Sequence, residues 1–239
     1  MGYVMVVGGC RAKAPSTGIL ASTLPVGSTV KLMENGTAVE YLVVNQGIPG
    51  NSNLYDASCN GTWLLRKDIH SNRQWNTQYN TYANSLINTW LNEDFFDSLG
   101  AIDKSAVKQV KIPYGVGNKT STVNSGANGL RVRAFLLGFC ECGWTTANSS
   151  IFLVDGAKLT YFESGTGAAA NNKRIAYLNG AADYWFTRCP NLGNAVQLCM
   201  VHQKGNIDNL NAQYSRGIRP ALVLTGNAVF DETTMLLKG

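Results

Sequence analysis

Two apolar runs near the end of the chain bracket a polar, asparagine-rich stretch, and this pattern limits the fold more than any other feature. The first run is Tyr184-Trp185-Phe186-Thr187-Arg188-Cys189-Pro190, and the second is Gly217-Ile218-Arg219-Pro220-Ala221-Leu222-Val223-Leu224. Both have the look of core strands. Between them lie Asn191, Asn194, Asn206, Asn209 and Asn211, among chemically unrelated side chains: Val196, Gln197, Leu198, His202, Asp208, Leu210, Tyr214 and Arg216. A fixed frame around a changeable surface points to a binding protein, because binding residues concentrate on loops held by a rigid scaffold.

A chain of 239 residues suits one large domain, with or without small additions. Frequent Gly and Asn, without long charged runs, favour a loop-rich fold that contains strands. The net charge of +5 comes from scattered Lys and Arg. Nucleic-acid binding is therefore not expected, since it calls for a clustered basic footprint. Of the six cysteines, Cys140 and Cys142 are one residue apart, which would put both on one face of a strand and is poor spacing for a metal knuckle. The expectation is buried free thiols, with a Cys189–Cys199 pairing as the alternative. No run is long and apolar enough to cross a membrane. The segment Met1 to Cys10 has a faint likeness to a lipoprotein leader but lacks a basic start, so it is taken as an arm or strand with no signal peptide.

Along the chain, Ala14 to Gly18 marks a turn within an N-terminal arm. Thr29–Glu34 and Ala38–Val44 flank Asn35-Gly36, a strong hairpin signal. Thr62 to Lys67 is a strand. Residues 80–99 form the main helix, with Tyr82, Leu86, Ile87, Trp90, Phe95 and Phe96 on its apolar face, and Gly100 stops it. A shorter helix spans 103–109 and leads into a strand at Val110 to Pro113. Further strands are expected over 130–139, 184–187, 195–202 and 218–224, with strands or turns at 151–154 and 158–162 and a small-residue loop at 165–172.

The segment Gly115 to Thr120 lacks the glycine spacing of a phosphate loop and is taken as a turn. His70 and His202 belong to no metal or protease array, and no dense carboxylate cluster suits a hard cation, so no cofactor or metal is expected. Arg188 and Arg219 are expected to tie loops down through backbone carbonyls and carboxylates. Trp185 is assigned to the core and Tyr214 to the surface.

The frame Trp185…Arg188-Cys189-Pro190…Gly217-Ile218-Arg219-Pro220-Ala221-Leu222 resembles the end of C-type-lectin-like domains of phage, prophage and gut bacteria. Gly61 to Arg66, Tyr82 to Asn92 and Val110 to Tyr114 fit the same likeness, which covers roughly residues 25 to 225. It implies an α+β, C-type-lectin-like fold with one main helix, a second short helix, antiparallel strands and long irregular loops. The chain then divides into an arm (1–24), the domain (25–230) with a variable-looking segment (186–216), and a tail (231–239).

Some members of this group are the variable proteins of diversity-generating retroelements, in which adenines of Asn codons are miscopied. Val196, Leu198, His202, Asp208, Leu210, Tyr214 and Arg216 are reachable from Asn codons in this way; Gln197, Met200, Gln203, Lys204 and Gln213 are not. The resemblance implies a non-enzymatic receptor-binding module of a phage or prophage, tail-associated in the virion or in the bacterial cytoplasm before assembly. Its ligand would be a protein or glycan on a cell surface, bound by Val196, Gln197, Leu198, His202, Asp208, Leu210, Gln213, Tyr214 and Arg216, and a second copy of the chain, in a homo-oligomer, is a further candidate partner. The alternatives are a structural virion or assembly protein, and a formylglycine-generating-like oxidase using Cys189 and Cys199.

Overall fold

The structure, a computed structural model, describes residues 18–239. The expected turn at 14–17, most of the arm and Cys10 lie outside the described residues. The described chain opens with β1 (Gly18–Leu20), β2 (Thr29–Glu34) and β3 (Thr37–Gln46). The β2–β3 hairpin turns on Asn35 and Gly36, both at positive φ (47° and 79°), as a two-residue primed turn requires. Then come β4 (Thr62–Arg66) and β5 (Ser71–Gln74).

The main helix begins later than the sequence pattern suggests. Ser85 caps α1 (Leu86–Trp90) by accepting from the Asn88 N–H at 3.1 Å. A π-helical turn (Leu91–Phe95) and α2 (Phe96–Ser98) continue it. The wider π turn brings residues four apart into line. The buried stripe is accordingly Ile87, Leu91 and Phe95, and Leu86 faces solvent. Gly100 does not end the helix through a left-handed turn, since its φ is −58°. Leu99 becomes extended and bridges Glu34. Glycine is needed at 100 because a Cβ would come within 2.7 Å of the Asp103 carboxylate. The second helix, α3, spans Ala101–Ala106.

Short strands follow: β6 (Val110–Ile112), β7 (Tyr114–Gly115), β8 (Val123–Asn124), β9 (Leu130–Val132) and β10 (Ala134–Phe135). The single strand expected over 130–139 is broken at Arg133. Asn92 Oδ1, on the main helix, accepts from the N–H groups of Arg133 (2.7 Å) and Ala134 (3.3 Å), and its amide donates to Ala134 O. The side chain replaces ladder partners, so β9 pairs with β6 and β10 with β17 (Ala221–Leu224). The Cys140-Glu141-Cys142 segment is a turn, not a strand. Residues 151–162 are irregular, with short turns and bends, apart from a bridge between Phe152 and Asn191. The small-residue stretch ends in a helix, α4 (Ala168–Asn172).

The remaining strands are β11 (Ala176–Leu178), β12 (Ala181–Asp183), β13 (Trp185–Pro190), β14 (Gln197–Val201), β15 (Ile207–Asn211), β16 (Ser215–Ile218) and β18 (Val229–Asp231). Two five-stranded sheets dominate, in the orders β10-β17-β4-β3-β2 and β15-β14-β13-β16-β5. The fold is thus α+β, mostly strand and loop. β18 pairs with β1, bringing the two ends of the described chain together.

The sheets are joined by a ribbon that runs through both. β4 pairs antiparallel with β17 in one sheet, and β5 pairs antiparallel with β16 in the other. The crossing is fastened by Arg66 N–H to Pro220 O (2.9 Å) and His70 N–H to Ile218 O (2.8 Å). Arg219 sits at the joint. Its Nε donates to Arg66 O at 2.8 Å and its Nη2 to Lys67 O at 2.9 Å, while the guanidinium lies 5.2 Å from the Trp185 ring centre.

The core packs Trp63, Trp75, Trp144 and Trp185, all essentially without exposure. At its polar centre is Arg188, fully buried on β13. It makes a bidentate pair with Glu141 (2.6 and 2.7 Å) and donates to the carbonyls of Pro113, Leu136 and Asp155. Glu141 also accepts from Tyr55 Oη and from Gly138 N–H. One guanidinium therefore fixes four loop segments, as buried cations must be paired to persist.

Candidate functional site

The expected ligand face lies on and beside β13 to β16. β14 is inserted between β13 and β15, and its residues Leu198 to Val201 are buried. This corrects one assignment. Leu198 stands between Pro190 and Leu210 in register and has no exposure, so it is a core residue and not part of a ligand face. Val196 and Gln197 are half-buried at one end of β14. The Gln197 carbonyl accepts from Asn80 Nδ2, and its side-chain oxygen accepts from Asn191 Nδ2. Gln213 and Tyr214 are exposed in the turn between β15 and β16. That turn adjoins the same end, since Ala212 N–H donates to Val196 O at 2.8 Å. Asp208 and Leu210 lie half-buried on the edge strand β15, opposite Met200 and Leu198.

His202 and Arg216 are brought together through Tyr184. The His202 ring meets Tyr184 edge-on at 4.6 Å, and the two share a 2.9 Å hydrogen bond through Nε2 and Oη. Nδ1 accepts from the Lys204 N–H at 3.0 Å, so in the neutral ring Nε2 holds the proton and donates to the tyrosine. The Arg216 guanidinium lies 5.6 Å from the Tyr184 ring centre.

The sequence alone did not single out Arg73 as its neighbour. In the β5–β16 register Arg73 stands directly opposite Arg216. Its guanidinium lies 3.9 Å above Trp90, which in turn touches His70 and Phe95. A band thus crosses the sheet, with the two arginines in register at its centre and a pair of rings on each side: His202 and Tyr184 beside Arg216, Trp90 and His70 beside Arg73. A cleft of about 450 Å³ opens beside its Trp90 end, lined among others by His70, Arg73, Asp94 and Asp97. A second, of about 340 Å³, lies between β5 and the main helix, with Gln74, Leu86 and Ser215 in its wall. Burial lowers the His70 pKa, against the pull of Glu34. Arg73 was not legible because only strand register brings it to Arg216, and register is a long-range property.

Asn80, a second residue missed, is buried and donates to the carbonyls of Asn191, Asn194 and Gln197 while accepting from Asn118 N–H. It fastens the loop before β14 from beneath.

The described cysteines are free and buried. Burial pushes the Cys59 and Cys140 thiols up to about 12, and those of Cys142, Cys189 and Cys199 also rise. A thiol nucleophile needs the opposite shift. Cys199 and His202 form no hydrogen-bonded pair, because both ring nitrogens of His202 are engaged elsewhere. Among the described residues no group of three or more His, Cys, Asp or Glu is arranged to hold a metal ion. No helix among them is long and apolar enough to cross a membrane.

No curated protein and no solved structure matches the chain. A family model does, over residues 60–226. The matched stretch begins just before β4 and ends just after β17, the two strands that pair in the joining ribbon. It contains the Arg188 hub, the Arg219 joint and every residue of the expected ligand face. The chain belongs to the family defined by a domain of unknown function, DUF6273.

Proposed function

We propose that this protein is a non-enzymatic ligand-binding protein with a C-type-lectin-like organisation, serving as a diversified receptor-binding module of a phage or prophage. The observation that carries the reading is how burial is divided between Tyr184 and Leu224. The frame residues Trp185 to Pro190 and Gly217 to Leu224 are buried throughout. Val196, His202, Asp208, Leu210, Tyr214 and Arg216 all keep solvent access. Side chains of the second kind tolerate replacement at little cost in stability. Leu198 is excluded from the proposed surface, because an asparagine there would bury an amide in an apolar setting. The paired chain ends, the main helix and the long irregular stretch between β10 and α4 agree with the C-type-lectin-like resemblance.

Sequencing the locus across a population of its source tests the reading. Substitutions confined to the exposed positions between Phe186 and Arg216, with Leu198 and Gly217 to Leu224 constant, are the expected result. Changes spread evenly along the chain would remove the case for diversification.

A further inference from the structure

We propose that Arg73 and Arg216 together form an anion subsite that takes the carboxylate or sulfate of an acidic saccharide. The proposal rests on the binding reading above and names the chemistry of its ligand. Like charges directly opposite on neighbouring strands repel, and a carboxylate partner ordinarily relieves this. Here there is none. Arg73 Nε donates to Ser71 Oγ at 3.2 Å, and Arg216 Nη1 donates to Ser215 O at 3.0 Å. Neither guanidinium has a carboxylate oxygen within 4.0 Å among the described residues. Asp97, in the neighbouring cleft, faces Lys104 at 3.8 Å instead. Arg216 Nε is shielded from solvent and donates to nothing.

Both guanidinium groups are held in place by rings, Arg73 on Trp90 and Arg216 on Tyr184. Two arginines opposite each other in register on one face of the sheet, with donors to spare, match an oxyanion, which arginine binds through paired N–H groups. The clefts beside Arg73 favour a saccharide as the carrier. They have the volume of a small ligand. Asn35, Ser98, Gln74 and Ser215 offer neutral hydrogen-bonding groups along them, and Asp94 and Asp97 offer acceptors for hydroxyls. An anion between the arginines with hydroxyls in the flanking clefts uses each of these groups.

The test is a panel of uronate, sialylated and sulfated oligosaccharides, each beside its neutral counterpart, with hexaglutamate as a peptide control. The full chain, Arg73→Gln, Arg216→Gln and Arg216→Lys are compared, and thermal melting establishes that each is folded. At least one acidic oligosaccharide should bind about 10-fold or more tighter than its neutral form. Each glutamine variant should lose about 10-fold or more, and Arg216→Lys should lose less. Equal binding of acidic and neutral forms, no binding of any acidic member, or glutamine variants that bind like the parent would overturn the subsite. Tighter binding of hexaglutamate would overturn the saccharide assignment and indicate an acidic protein partner. Binding of the parent to host cells that survives both glutamine substitutions sinks the subsite alone. A parent that binds no cell surface, glycan or peptide sinks the binding reading itself.

Discussion

Glu141 is the residue on which most of the interior depends. Its carboxylate neutralises Arg188, and Arg188 in turn holds the carbonyls of three other segments. Replacing one partner of such a buried pair leaves the other charge without compensation. Glu141→Gln should therefore cost about 3–5 kcal/mol, read as a lowered urea midpoint. Asp155 beside it is a carboxyl under strain of a different kind. Burial pushes its pKa up to about 6, against the pull of Arg188. A folded-state value above the unfolded one means that the folded protein binds more protons between pH 4 and pH 6. Stability from this group is greatest below that window and is lost as pH rises through it, at up to roughly 1.4 kcal/mol per pH unit. Urea midpoints at pH 4, 5, 6 and 7 should thus fall for the parent relative to Asp155→Asn. A constant difference between the two would show that Asp155 does not titrate in that window.

Asn92 and the π turn that carries it show how one element edits another. The side chain takes the place of strand partners at Arg133 and Ala134, which ends β9 and starts β10. Asn92→Ala would strand two N–H groups and a carbonyl, for a loss of about 1–3 kcal/mol. Exposed positions on the same helix, such as Leu86, should tolerate alanine with far less effect. Amide exchange at Arg133 and Ala134 is the local readout, and it should quicken in Asn92→Ala. The β2–β3 hairpin, β4 and the last strands were legible because their signals are local: an Asn-Gly turn and unbroken apolar runs. The break at Arg133, the late helix start and the edge strand β15 were not. The break at Arg133 and the strand β15 depend on partners that no short window of the chain contains, and the helix start is set by the Ser85 cap inside an apolar pattern that runs on before it. The same holds for the candidate site. Tyr214 is an exposed turn position and Arg216 a half-buried strand position, and the polar stretch between two apolar runs picks out both. Leu198 was misjudged because the sequence pattern does not report that β14 is buried on both of its faces.

At the scale of the molecule, interior and surface carry separate tasks. The solvent-accessible set at β14 to β16 adjoins the buried strands β13 and β14, so changes there should cost little stability and, on the proposed reading, alter binding. Tyr214→Ala is expected to shift stability by less than about 0.5 kcal/mol. Leu198→Asn should cost about 3 kcal/mol or more, by loss of packing and burial of an unpaired amide. Equilibrium unfolding of the two variants side by side checks the division, and similar losses would refute it. The joining ribbon has a consequence for how the chain is made. Arg219 bonds to carbonyls 152 and 153 positions earlier in the chain. On the ribosome, β4 and β5 emerge long before β16 and β17, and neither sheet is complete until those last strands appear. The 186–216 segment is therefore translated before the ribbon closes, so a nascent chain that carries a misfolding substitution in it is still open to proteolysis when that segment appears.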